Sequence, residues 1–135
     1  MSTRSTTQVR HNAEPLLTFY RHFDGYPSGH GLDMLPMLER TNLKEAATSP
    51  YIQCNGAGNF AAMLLASIVP TDGEGTILSH NIYLVPHQEH GEHEYTYTID
   101  FCDDELEPLI KVQGHGLDLV GLTVEQFSQL CNNTE

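Results

Sequence analysis

The clearest periodicity in the chain lies at Glu94 to Phe101. Tyr95, Tyr97, Ile99 and Phe101 alternate with Glu94, Thr96, Thr98 and Asp100, which predicts a half-buried antiparallel strand with the aromatic and aliphatic set turned inward. Leu109 to Gln113 reads as its neighbour across the acidic turn Cys102 to Pro108. At the other end of the chain, Thr3 to His11 and Leu16 to Phe23 are β-prone runs separated by Asn12-Ala13-Glu14-Pro15, the pattern of a hairpin.

Helical spacing appears in three places. Leu32, Leu35 and Leu38, with Met34 and Met37, suggest a short helix in which Pro36 must sit in or near the first turn. After an irregular stretch from Tyr51 to Gly58, Asn59 is placed to cap a helix that turns Phe60, Met63, Leu64 and Ile68 to one side and stops at Pro70. Thr123 and Gln126 make a capping box for a last helix through Val124, Phe127 and Leu130. Between these, Thr71 to Gly75 is a turn cluster, and Ile77 to Val85 is a strand in which Leu78, Ile82 and Leu84 face inward. The predicted order is β-β-α-α-β-β-β-α. That order describes an α+β domain, a mostly antiparallel sheet of about five strands with two to three helices on one face. No linker or repeat divides residues 1–135, so a single domain is expected, with a core large enough to need no disulfide or metal staple.

Charge adds a second layer. Residues 1–45 carry five acidic and five basic side chains, and the remainder carries 13 acidic groups against Lys111 alone, for a formal net charge of −12. Such a field repels phosphates and attracts basic protein surfaces. Direct nucleic-acid binding is therefore not expected, and Asp103, Asp104, Glu105 and Glu107 are candidate contacts for a basic partner. The alternative is that these carboxylates only keep the loop solvated. With no membrane-spanning run and no signal-peptide core, a cytoplasmic location is expected and no membrane contact. Cys54, Cys102 and Cys131 form no CxxC pair and read as small buried side chains.

Two segments carry candidate chemistry. In Tyr20 to Gly31, YRHFDGYPSGHG, Asp24-Gly25 and Pro27 specify a turn, with Gly25 supplying a positive φ and Gly29 and Gly31 allowing close backbone approach. Arg21, His22, Asp24, Tyr26, Ser28 and His30 are the candidate ligand-binding residues, because an imidazole, a phenol, a guanidinium and glycine-flanked amides could cradle a phosphate or nucleotide. SGHG is neither a Walker loop nor a GxGxxG turn. The competing reading is that Asp24 caps the turn and the histidines satisfy backbone groups. In HQEHGEHE, residues 87–94, His87, His90 and His93 are candidate metal ligands for a hydrolase, provided that His30 or His115 approaches. Their spacing departs from the zincin motif, and a polar loop tip with incidental histidines is the plainer account.

Thr3-Arg4-Ser5, YRHFDGYPSGHG, the Asn55-Gly56-Ala57-Gly58 turn before an alanine- and leucine-containing helix, and Glu94-Tyr95-Thr96-Tyr97 together resemble a family of small, largely uncharacterised proteins of bacteriophages, prophages and bacteria. The resemblance implies a mobile-element setting, in which small acidic proteins bind and block host defence proteins. Combined with the charge, it favours a non-enzymatic binding protein needing no cofactor and acting in the host cytoplasm. A nucleotide-binding module at the DGYPSGHG turn is the alternative, and a metal-dependent hydrolase the remaining one.

Overall fold

A computed structural model of the chain describes residues 3–41, 56–69, 81–105 and 107–133. Its strands are β1 (Ser5–His11), β2 (Glu14–Arg21), β3 (Ile82–Leu84), β4 (Tyr95–Phe101), β5 (Leu109–Gly114) and β6 (Leu117–Leu122), and its helices are α1 (Leu32–Glu39), α2 (Gly56–Ile68) and α3 (Val124–Asn133). They form one six-stranded sheet in the order β3-β2-β1-β4-β5-β6. The α+β class and the mostly antiparallel sheet hold. Among the described residues the one parallel pairing joins β1 to β4, Ser5 opposite Tyr95 through His11 opposite Phe101.

That pairing corrects the expectation for Tyr95–Phe101. This strand is central, parallel to β1 on one side and antiparallel to β5 on the other. Both of its faces are covered, since Thr96 and Thr98 are buried as well as Tyr97 and Ile99. On the helix side, Val9, Phe19, Tyr97, Ile99, Ile110 and Val112 meet Met34, Leu38, Phe60, Leu64 and Phe127 in a single core. In α2 the buried set is Ala57, Phe60, Ala61 and Leu64, the i, i+3, i+4, i+7 stripe of an amphipathic helix.

Several boundaries differ from the sequence reading. Asn59 lies inside α2, which already begins at Gly56, so it does not cap it. Pro36 is the fifth residue of α1, beyond the first turn, and the helix is preceded by a π-helical turn, Pro27–Gly31, that feeds into it. The capping box at the start of α3 is present: Thr123 N–H donates to Gln126 Oε1 at 2.9 Å and Gln126 N–H to Thr123 Oγ1 at 3.2 Å. Leu84 is 67% exposed on the edge strand β3 rather than inward-facing. Strand β6 is an addition. It follows a turn in which His115 (φ 49°) and Gly116 (φ 83°) are both left-handed, and its pairing with β5 is broken near Gly121, whose φ of 69° fits a bulge. The readings at Tyr51, Cys54, Asn55, Pro70, Thr71–Gly75 and Leu78 lie outside the described residues.

The β1–β2 hairpin is tighter than expected. Its turn is only Asn12-Ala13, at φ 49° and 70°, as a type I′ turn requires. Alanine has no side-chain compensation for a left-handed backbone, which costs about 1–2 kcal/mol, less the entropy that glycine gives up on folding. Ala13→Gly is accordingly expected to stabilise the fold by up to about 1 kcal/mol, read as a rise of a few degrees in Tm. A lower Tm would contradict the strain assigned to Ala13.

Candidate functional site

The fold brings Arg21 and His30 of the motif together, but inside the protein. Arg21 ends β2 on the helix side of the sheet with only 7% of its surface exposed, and His30, in the π-helical turn, is fully buried. Arg21 Nη1 donates to Asp33 Oδ2 at 2.7 Å and lies 3.2 Å from His30 Nδ1, while its Nε donates to the Phe23 carbonyl at 2.6 Å. A guanidinium can only donate, so Nδ1 of His30 carries the lone pair. Nε2 then bears the hydrogen and donates to Thr7 Oγ1, 2.8 Å away. Phe19 and Tyr97 pack edge-on against the imidazole. Burial, reinforced by the Arg21 charge, pushes the imidazole pKa down to about 3, so His30 is neutral at ordinary pH.

The turn around this cluster is held at each step. Asp24 has a φ of 57°, and its carbonyl accepts the His30 N–H at 2.8 Å. Its carboxylate accepts the Tyr26 hydroxyl at 3.0 Å, a bond that raises the phenol pKa. The left-handed residue is thus Asp24. Gly25 lies outside that region, and the expectation of a positive φ there is incorrect. Glycine is required at 25 for space: a Cβ would sit 2.9 Å from both Ser5 Cβ and the Thr3 carbonyl oxygen. Gly25 N–H donates to that same carbonyl, and its own carbonyl accepts the Tyr97 hydroxyl at 2.6 Å. At Gly29 a Cβ would meet the Asp24 carbonyl oxygen at 2.6 Å, and at Gly31 it would meet Cys131 Sγ at 2.5 Å, so close approach governs both positions as expected.

His22 and Ser28 are set apart from this cluster. His22 Nδ1 pairs with the Tyr20 hydroxyl at 2.6 Å, and the backbone N–H groups of His22 and Phe23 both donate to Asn81 Oδ1. Ser28 is half-buried in the π-helical turn. Of the six candidate ligand-binding residues, Arg21 commits Nε and Nη1, and His30 both ring nitrogens, to one another and to Phe23, Asp33 and Thr7. Asp33, Thr7 and Tyr97 were missed by sequence reasoning. A buried arginine needs an acid, and Asp33, three residues beyond His30 where the helix begins, was the available signal.

His87, His90 and His93 sit on the opposite face of the sheet from His30, because Thr6 and Gln8 point away from Thr7 along β1. His87 Nδ1 is 2.7 Å from Thr18 Oγ1, His90 Nε2 is 2.9 Å from Thr98 Oγ1, and the His93 ring packs 4.8 Å from that of Tyr20. They touch three different strand residues, and among the described residues no group of three or more His, Cys, Asp or Glu side chains is arranged to hold a metal ion. His115 does not approach them either, since it stacks on Tyr95 at 4.8 Å on the helix side.

The acidic candidates divide by role. Asp103 locks the hairpin tip to the end of β4: its carboxylate pairs with His11 Nε2 at 2.7 Å and accepts Asn12 Nδ2 at 2.8 Å, and its N–H donates to Asn12 Oδ1. Those bonds from His11 and Asn12 hold its pKa low. Glu107 Oε1 accepts the Val124 N–H at 2.8 Å and so caps α3. Asp104 and Glu105 are exposed. Cys131 is a free, buried thiol, its pKa pushed up to about 12 by burial, and Cys102 is free and half-buried. No helix among the described residues is long and apolar enough to cross a membrane. Comparison with protein-family models, curated proteins and solved structures finds no match to this chain.

Proposed function

We propose that this chain is a non-enzymatic binding protein that covers a basic surface of a host protein, and that the end of the sheet formed by the last residues of β1 and β4 is its contact surface. The observation that carries this is the gathering of carboxylates there. Glu14 begins β2, Asp100 lies near the end of β4, and Asp103, Asp104, Glu105 and Glu107 follow it. Glu125 joins them through α3, whose first N–H is bound by Glu107. Across the described residues of this end (10–14, 100–105, 107–109 and 123–125), Arg10 is the only arginine or lysine. Clustered like charges at the end of a rigid sheet raise the rate at which an oppositely charged partner is found and reject partners of the wrong sign.

The inward commitment of Arg21 and His30 supports the same reading, because it leaves the conspicuous motif a scaffold for the sheet. The phage and mobile-element setting, with a host defence protein as the partner, is part of this proposal through the family resemblance. The test is capture from host lysate on immobilised protein, at low and high salt, with the doubly reversed variant Asp104→Lys/Glu105→Lys alongside. A stoichiometric protein held at low salt, released at high salt and lost in the variant is the expected result. Retention by the variant at unchanged level would refute the assignment of the surface.

A further inference from the structure

We infer that residues 86–93 form an acid-released strap: the segment is fastened across the threonine face of the sheet by imidazoles acting as hydrogen-bond acceptors, and protonating His90 lets it lift. The topology makes the strap. From the edge strand β3, the chain must cross β2 and β1 to enter the sheet as β4, and it does so on the side away from the helices. Below it lie Thr6, Gln8, Thr18, Thr96 and Thr98, each at most 7% exposed. Polar side chains buried to that degree need partners, and the strap supplies them to Thr6, Gln8, Thr18 and Thr98.

The direction of the bonds matters. Arg10 Nε donates to Gln8 Oε1, and Gln8 Nε2 donates both to Thr18 Oγ1 at 2.9 Å and to the His87 carbonyl at 3.3 Å. Thr18, having accepted from Gln8, has its own hydroxyl hydrogen for His87 Nδ1. The chain of donors that starts at Arg10 therefore ends on an imidazole lone pair. His90 is bound to Thr98 through Nε2 alone, and its Nδ1 is buried without a hydrogen-bond partner. With Nε2 accepting from Thr98, protonation places a hydrogen on that very nitrogen, turning the acceptor into a donor aimed at the hydroxyl and adding a charge beside a buried Nδ1–H that already has no acceptor, which is costly. The Gly91 N–H, donated to Thr6 Oγ1 at 3.0 Å, completes the fastening.

The surrounding charges push the same way. Arg10 from β1 and Lys111 from β5 both act on His90 and, after burial itself, lower its pKa, to about 4. From β2 the strap meets the phenol of Tyr20, itself bonded to His22. On β4, Asp100 directs its carboxylate to the Ala13 N–H. The strap's own carboxylates are Glu89 and Glu92, and Glu94 at its end accepts the Arg4 N–H. Lifting the strap would expose more of Arg10 and Lys111, both half-buried, on an otherwise acidic protein. This regulation is independent of which partner the acidic end takes.

The test is amide hydrogen exchange on the intact chain, followed by NMR and corrected for the intrinsic pH dependence of exchange. A ring that titrates near 6.5 when free and near 4 when fastened predicts that protection of the Gly91 amide falls roughly 20-fold from pH 7 to pH 5. All of these comparisons are made in a His30→Gln background, which removes the acid sensitivity of the buried His30; there the Tyr97 amide in β4, which opens only with the whole fold, should keep its protection over that range. In His90→Gln, whose carbonyl can accept from Thr98 without titrating, Gly91 protection should no longer depend on pH. Thr98→Val, which preserves shape but removes the hydroxyl, should weaken Gly91 protection already at pH 7. Loss of Gly91 and Tyr97 protection together, an unchanged Gly91 amide at pH 5, or full pH dependence in His90→Gln would each overturn the strap.

Discussion

Gly25→Val is expected to cost about 3 kcal/mol or more, a large part of the stability of an ordinary domain. The position is fixed from three sides: Gly25 N–H by the Thr3 carbonyl, Gly25 carbonyl by the Tyr97 hydroxyl, and the α-carbon by Ser5 Cβ at 2.9 Å from any added Cβ. Two of the three atoms nearest that Cβ belong to the backbone of residues 3 and 4, at the entrance to β1. They cannot rotate aside as a flexible side chain could. Gly25→Ala should carry most of the penalty already, because the clash is with Cβ itself, and valine should add to it. Urea denaturation followed by circular dichroism separates the outcomes. A Gly25→Val chain that melts like the parent would contradict the close packing of the turn against β1.

Acid is the second large lever. His30 is held neutral down to about pH 3, whereas in the unfolded chain its imidazole titrates near 6.5. Between those values the unfolded state binds a proton that the folded state refuses, so acidification favours unfolding. The stability that His30 contributes is complete above about pH 6.5 and is lost progressively as pH falls toward 3, reaching about 2 kcal/mol at pH 5. His90 acts in the same sense but is only part-buried, and solvent screening reduces its share. The urea midpoint should therefore drop markedly between pH 7.5 and 5. His30→Gln can still donate to Thr7 and accept from Arg21, so it should be less stable at pH 7.5 yet show a much flatter pH dependence. Equal midpoints for the parent at the two pH values would mean that His30 gains a proton acceptor which the Thr7–His30–Arg21 geometry does not contain.

What was legible in the sequence was what local pattern encodes. The stripe of Phe60 and Leu64 and the Thr123/Gln126 box became the expected elements, and the alternation at Tyr95–Phe101 became a strand, though one covered on both faces, because side-chain periodicity or a cap at one end leaves its mark within a few residues. The parallel pairing of β1 with β4 was not legible, since a strand's sequence does not name its neighbour. Strand β6 was obscured by Gly121, which breaks the alternation where the strand bulges. At the motif, the glycine spacing correctly pointed to close approach at 29 and 31. It could not reveal that Asp24 takes the left-handed turn, or that Arg21 and His30 face inward, because both facts depend on Thr7 and Asp33 arriving from other elements. The histidines have the look of a ligand set for a different reason: a crossover that must satisfy a buried threonine face needs acceptors at intervals along its length, supplied by His87 and His90, while His93 packs its ring on Tyr20.

The central claim is that recognition occurs at the acidic end, with the YRHFDGYPSGHG segment serving as scaffold. The most direct measurement compares partner capture by two folded variants, Asp104→Lys/Glu105→Lys at the acidic end and His22→Ala/Ser28→Ala on the motif. Loss of the partner in the first with retention in the second is the predicted result. Retention in the first with loss in the second would move recognition to the motif and contradict the account.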